Sequence, residues 1–462
     1  MRSGAAVART QALYLGASPR GWVWGPAEGH VLVLGPPRSG KTSSLVVPNV
    51  LAADGPVVAT STKRDVLAAT LPRRQALGRC WLFDPTGEVR PPEGVTPLRW
   101  SPVAASVRWD TARRMARGLV ATSASGRGVV DGDHWQGRAR AVVGPLLHAA
   151  ALAGGTIEDV ARWVHRRETG PAEDILAREG SRLAADVLAG VTRSEDRELS
   201  AIFSTASQAL AAYQSEAALA AAREPNFDPG AFVASADAVY VCAPSRAQAL
   251  VAPLVVALVE EISLAAYRVA DTGGEGHRAG PVVLALDEAA NIAPLPSLPS
   301  IVSEGGGQGV LVLACFQDLS QARARWGPDA ADGFLSHFRA KVILPGLGET
   351  RTLEALSRLC GDVEVPVRSV ARTGRWWQRR GVATTTTWST RRQRRVPVAT
   401  LGRGSPGRAV YLEAGCGPAQ LRLTPCHEAR PWVEVVAGEV GRARGGRRVP
   451  EPPGRRLPGR ER

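Results

Sequence analysis

VLVLGPPRSGKTSSLVVPN, residues 31–49, decides how the rest of the chain is read. Its first four residues make an apolar run of the length of a buried strand, and its end has helical character. Between them, GPPRSGKT at 35–42 satisfies G-x-x-x-x-G-K-S/T at every fixed position. Glycines let backbone N–H groups curl around a phosphate chain, and the following helix N-terminus adds a favourable dipole. Gly35, Pro36, Pro37, Arg38, Ser39, Gly40, Lys41, Thr42 and Ser43 therefore form the expected nucleotide-binding segment. Lys41 is placed to reach the β- and γ-phosphates of ATP, and Thr42 to put its hydroxyl on Mg2+.

Further apolar runs occur at 56–61, 80–85, 238–244, 281–288, 310–316 and 341–346. They are continuous rather than alternating, as in strands buried on both faces of a parallel sheet. Helical stretches lie between them, which predicts a doubly wound α/β domain with a mainly parallel sheet. The alternation breaks once. Residues 105–228 are rich in Ala, Leu, Arg and Glu at helical spacing and predict an all-α insertion. The motor-type domain is then 30–104 and 229–428, preceded by an irregular lead-in at 1–29.

The run PVVLALDEAANI at 281–292 ends in two carboxylates, at the place where an open α/β sheet gathers its ligands. Asp287 is the expected Mg2+ partner and Glu288 the group that activates the attacking water. The next run ends in Gln317, beside the γ-phosphate if the two strands are neighbours. Lys41, Glu288 and Gln317 are thus the candidate catalytic residues, and Thr42 and Asp287 the candidate metal residues. No N-K-x-D base-specificity motif follows the loop, which disfavours a switch GTPase.

Composition narrows the partners. The chain has 462 residues, 44% of them hydrophobic, and a net charge of +14. That excludes a wholly disordered chain and favours acidic partners, nucleic acid first. Six scattered cysteines with no CxxC pair suit a reduced compartment. Cys416, Cys426 and His427 lack zinc-ribbon spacing. No stretch reads as a membrane span, so the expected location is the cytoplasm. Between 368 and 395 nine arginines are interleaved with Trp376, Trp377 and Trp388. This segment is read as a basic loop in which Arg375, Trp376, Trp377, Arg379, Arg380, Arg391, Arg392, Arg394 and Arg395 are candidates for contact with DNA. A β-hairpin is expected at 408–426 and a disordered basic tail at 438–462.

In order and spacing, GHVLVLGPPRSGKTSSLVVPNVL, GRCWLFDPTGE, LALDEAANIAPLPSLPSIVSEGGGQGVLVLACFQDLSQ and FRAKVILPGLGETRTLEALSRLCGD resemble the type IV secretion coupling ATPases. These are the TraG/TraD-type conjugative DNA-transfer proteins of the wider FtsK/HerA group. The resemblance implies a RecA-like motor domain with an inserted all-α, cargo-recognising domain. It implies homo-hexameric rings at the inner face of the membrane, which hydrolyse ATP to drive DNA and attached relaxase-type or effector cargo toward a secretion channel. Such relatives usually begin with transmembrane helices; none is read here, which predicts a membrane-anchored partner or soluble substrate. Many also carry an arginine where this chain has Gly306, which leaves Arg64, Arg339 and Arg351 as candidate arginine fingers. A cytosolic FtsK/HerA-type translocase and a nucleotide-gated adaptor are the competing expectations.

Overall fold

In the computed structural model, residues 12–122, 132–272, 280–373, 383–430 and 432–436 are described. The seven apolar runs become strands β3 (Val31–Leu34), β4 (Val57–Ser61), β5 (Cys80–Phe83), β7 (Ala238–Cys242), β8 (Val282–Leu286), β9 (Val310–Phe316) and β10 (Ala340–Ile343). Every residue of β3, β8 and β9 is buried, which is why these segments read as continuous rather than alternating. A further strand, β6 (Val95–Pro97), has no such run behind it, because it buries only Val95. With β1 (Tyr14–Ser18), β2 (Gly21–Trp24), β13 (Arg408–Glu413) and β14 (Ala419–Arg422), one sheet of twelve strands results, in the order β2-β1-β14-β13-β10-β3-β9-β8-β4-β7-β5-β6. From β10 to β6 every pairing is parallel.

The expected irregular lead-in is corrected. Its described part forms β1 (Tyr14–Ser18) and β2 (Gly21–Trp24), an antiparallel pair on the edge of the sheet. The hairpin expected at 408–426 is present as β13 (Arg408–Glu413) and β14 (Ala419–Arg422). It joins β10 to β1, so both ends of the chain close one edge. Tyr14, Trp22 and Trp432 seal that edge, with the two indoles stacked at 4.9 Å between centroids.

Helices cover both faces. α1 (Thr42–Ala52), which begins as a π-type turn, and α2 (Asp65–Gln75) lie over one core with Val31, Val33 and Leu313. The other face carries α3 (Trp109–Thr122), α4 (Gly132–Leu152) and α5 (Gln248–Asp271). Among the described residues between β6 and β7 all regular structure is helical. Val142, Val143, Leu146 and Leu147 of α4 are fully buried there. Their core runs without a break into Trp81 and Phe83 of β5 and Val239 of β7, so the helical insertion shares the core of the sheet. α5 is apolar and long enough to cross a bilayer, yet 72% of its most apolar window is buried within the fold. Trp100 donates to Glu261 of α5 at 2.6 Å, and burial pushes that carboxyl up to about 7.

Arg74, near the end of α2, is wholly buried. Its guanidinium donates to the carbonyls of Ala53, Gly55, Ala236 and Asp237 at 2.5, 2.8, 2.7 and 3.2 Å, stapling the loops that feed β4 and β7. Replacing it removes the donor from the Ala53, Gly55 and Ala236 carbonyls at a buried or partly buried site, while the Asp237 carbonyl keeps the Val57 N–H at 3.0 Å. Arg74→Leu is expected to cost about 3 kcal/mol or more, read from the urea midpoint at constant m.

Candidate functional site

The parallel strands release their loops at one edge of the sheet, and the candidate residues gather there. β9 lies between β3 and β8, with Phe316 in register with Leu34, and Ala314 with Leu286. The Gly35 N–H donates to the Phe316 carbonyl at 3.1 Å, so Gln317 follows directly beside the start of the glycine loop. Asp287 and Glu288 follow β8 on the other side of β9. The structure therefore brings Lys41, Thr42, Asp287, Glu288 and Gln317 to one edge.

Within the loop, Arg38 and Gly40 both take positive φ, at 63° and 94°, which turns backbone N–H groups inward. Glycine is required at 40 because few side chains tolerate that angle. Lys41 is buried, and its ammonium donates to the Gly35 and Pro36 carbonyls at 2.6 and 2.9 Å. The Ser39 hydroxyl is buried with no partner among the described residues. The Thr42 hydroxyl donates to Asp287 at 2.6 Å. A nucleotide with Mg2+ fits this set. The curled loop and Ser39 offer unspent donors, Lys41 is held by weak carbonyl partners it can leave, and Thr42 with Asp287 forms a hard oxygen pair.

Glu288 adopts a left-handed conformation, φ 53°, at the turn from β8 into the short helix Ala289–Ile292. Asn291 donates to the Glu288 carboxylate at 3.2 Å. The Asp287 carbonyl accepts from Thr60 of β4 at 2.8 Å. Ser61, at the end of β4, donates to Asp65 at 3.0 Å, and Asp65 adds negative charge near Asp287. Thr60, Asp65 and Asn291 escape the sequence reading. Only the order of strands, with β4 beside β8, reveals the first two; Asn291 is three residues beyond Glu288 and could have been found at helical spacing.

The candidate arginines separate. Arg64 precedes α2 on the nucleotide edge and is exposed. Arg339 precedes β10 on the opposite edge. Beyond α6 (Leu319–Trp326), Arg351 lies in the first turn of α7 (Thr350–Leu359) and is paired with Asp332 at 2.9 Å. An added Cβ at Gly306 would collide with the Glu28 carbonyl oxygen, so the backbone there is closed to any side chain. Gly306→Arg is expected to destabilise the fold by about 1–3 kcal/mol, measured by urea unfolding, and to bring no gain in ATP turnover.

The basic loop expected at 368–395 is corrected. Its described residues up to Arg394 belong to β11 (Asp362–Thr373) and β12 (Ala383–Arg394), a long antiparallel ribbon separate from the main sheet, and Arg395 follows just beyond β12. Within β12, Arg391 lies on the face opposite to Arg392 and Arg394, and the latter two pair with Asp362 at 2.9 Å each. Arg375, Trp376, Trp377, Arg379 and Arg380, like the tail at 438–462, lie outside the described residues.

Burial pushes the Asp287 carboxyl above its ordinary range, against the Thr42 hydrogen bond and the Lys41 charge that lower it. A group with a raised folded pKa contributes stability below its unfolded value and loses it as pH climbs through the folded one. The nucleotide-free protein should therefore lose stability above the ordinary Asp range. Asp287→Asn is expected to melt above the parent at neutral pH and to converge with it in acid, followed as Tm against pH.

Residues 4–396 match the family model described as Type IV secretory system Conjugative DNA transfer. The chain is 26% identical over 377 residues to the conjugal transfer protein TraG of Escherichia coli, covering 75% of this chain and 57% of TraG. It thus spans a little over half the length of that relative. Among solved structures it resembles the bacterial conjugative coupling protein TrwBdeltaN70 in its unbound form, with a TM-score of 0.68, 18% identity and 91% of each chain covered. The plasmid coupling protein TrwB in complex with the ATP analogue ADPNP gives 0.65 and 19%, covering 86% of this chain and 85% of that one. TrwB with ADP and Mg2+ gives 0.62 and 17% over the same shares. The likeness to these structures is one of fold: a RecA-like α/β P-loop arrangement.

Proposed function

Because the chain belongs to the type IV secretory system conjugative DNA transfer family, we propose that it is an ATP-hydrolysing coupling motor. It drives DNA, with attached relaxase-type or effector cargo, toward a secretion channel. The observation that carries this reading is the 2.6 Å bond from Thr42 to Asp287 with Glu288 next in the chain. It sets a phosphate loop against a carboxylate pair, as a hydrolysing site requires. TrwB structures with an ATP analogue and with ADP and Mg2+ support ATP and Mg2+ as ligands.

In this mechanism Lys41 leaves the Gly35 and Pro36 carbonyls for the β- and γ-phosphates. Thr42 and Asp287 are the residues that would hold Mg2+, which would supply neutralisation of the charge developing on the phosphates. Glu288, oriented by Asn291, accepts the proton of the attacking water. Gln317 reads the γ-phosphate from the end of β9. A homo-hexamer with a trans-acting arginine completes the site, working in the cytoplasm or at the inner face of the membrane through an anchored partner. A nucleotide-gated adaptor is the second reading, favoured by the closed backbone at Gly306.

The test is ATP turnover by the full chain with and without DNA. DNA-stimulated hydrolysis is expected, with nucleotide binding lost in Lys41→Ala. Glu288→Gln should keep ATP binding and lose turnover by about 100-fold or more. Turnover that ignores DNA at every salt concentration would support the adaptor, and turnover that survives Glu288→Gln would remove Glu288 from the mechanism.

A further inference from the structure

The β11–β12 ribbon stands apart from the sheet, and its register says what it presents. Directly opposed residues of an antiparallel pair share a face. Near the base, Asp362 lies opposite Arg394 and Glu364 opposite Arg392, so that part of the face is internally neutralised. Farther out on the same face, Arg368 lies directly opposite Trp388. Trp388 is 66% exposed, and Arg368 is exposed with no ion pair among the described residues. Thr386 and Thr390, also exposed, flank the indole on this face. From Val365 to Arg391 the sequence holds no acidic residue.

We propose that this Arg368–Trp388 face is a contact surface for single-stranded nucleic acid, and that α7 ties it to the nucleotide edge of the sheet. A guanidinium neutralises a phosphate, hydroxyls reach sugar and phosphate oxygens, and a bared indole stacks on an unpaired base. A duplex hides its base faces, so the indole selects the single strand.

The tie runs through buried and partly buried bonds. The Leu319 N–H, two residues beyond Gln317, donates to the Thr352 hydroxyl of α7 at 3.2 Å. Glu349 caps α7 and pairs with Arg323 at 3.2 Å, in the helix that Leu319 begins. At the far end of α7 the ribbon is anchored twice. Ser357 donates to the Val396 carbonyl at 2.7 Å, and the Arg395 N–H to the Gly361 carbonyl at 2.9 Å. The ten residues of α7, about 15 Å of helix, thus span from the end of β9 to the root of the ribbon. A shift at Gln317 reaches the ribbon through one rigid element. The coupling rests on the motor reading above; the contact surface does not.

The experiment uses the full chain, with fluorescein-labelled oligothymidine and a labelled duplex as probes in anisotropy titrations across salt. Trp388→Ala is expected to weaken single-strand binding about fivefold or more and duplex binding less. Arg368→Ala should lower the salt slope by about 0.7. Parent-like binding by both variants at every salt concentration would overturn the surface. So would tighter binding to phosphatidylglycerol vesicles than to oligothymidine, lost in the same variants. An equal loss on both probes would overturn the stacking role. For the tie, Thr352→Val should keep the parent affinity for oligothymidine and cut DNA stimulation of ATP turnover about tenfold, with rescue by Thr352→Ser. Stimulation at the parent level in Thr352→Val would sink the coupling. A chain that binds through this face and never hydrolyses ATP would refute the motor reading and the coupling while supporting the surface.

Discussion

A carboxylate kept out of water beneath the first turn of a helix sets the terms for the structure around it. Asp287 holds the Thr42 hydroxyl through its side chain and the Thr60 hydroxyl through its carbonyl. Those two bonds require β3, β4 and β8 to end together, with β9 as the spacer. A parallel sheet delivers this, since it aligns the carboxyl ends of strands far apart in sequence. Such a sheet must be covered on both faces, because its strands are buried on both. The helices on one side and the helical insertion on the other follow from that need, and the insertion has no core of its own because it fills the same face.

The glycine loop and the Asp287–Glu288 pair are legible in the sequence because their chemistry is local. A phosphate loop needs its glycines, lysine and threonine at fixed spacing whatever lies around it. The strands of the sheet are legible for a related reason: burial on both faces leaves no polar positions to disguise them. Partners contributed by other strands are not legible. Asp65 and Thr60 matter only because β4 neighbours β8, and no periodicity states that order. The hairpin β1–β2 is likewise invisible, since its strands are short, glycine interrupts β1 at Gly16, and the edge strand β2 is only partly buried.

Counting charge rather than period misreads the ribbon. DVEVPVRSVART and ATTTTWSTRRQR are rich in β-branched residues, and the first alternates in type along its length, both signs of strand. Read as a loop, the arginines from 391 to 395 make one basic cluster. Read with period two, Arg391 parts from Arg392 and Arg394, and the latter two turn out to be spent on Asp362. The same lesson applies to Gly306. A missing arginine looks like a lost function, whereas the Glu28 carbonyl pressed against it makes the glycine a packing requirement.

The closure of one sheet edge by both ends of the chain carries a consequence for biogenesis. Ala17 pairs with Arg422, so β1 cannot complete its ladder until a strand 405 residues later has left the ribosome. At ordinary synthesis rates that delay is roughly 20–80 s. Through it the aromatic strand pair bearing Tyr14, Trp22 and Trp24 stays an open edge, a template for mispairing until β14 and Trp432 arrive. An aromatic strand pair left open for that interval is the part of this topology most exposed to mispairing during synthesis.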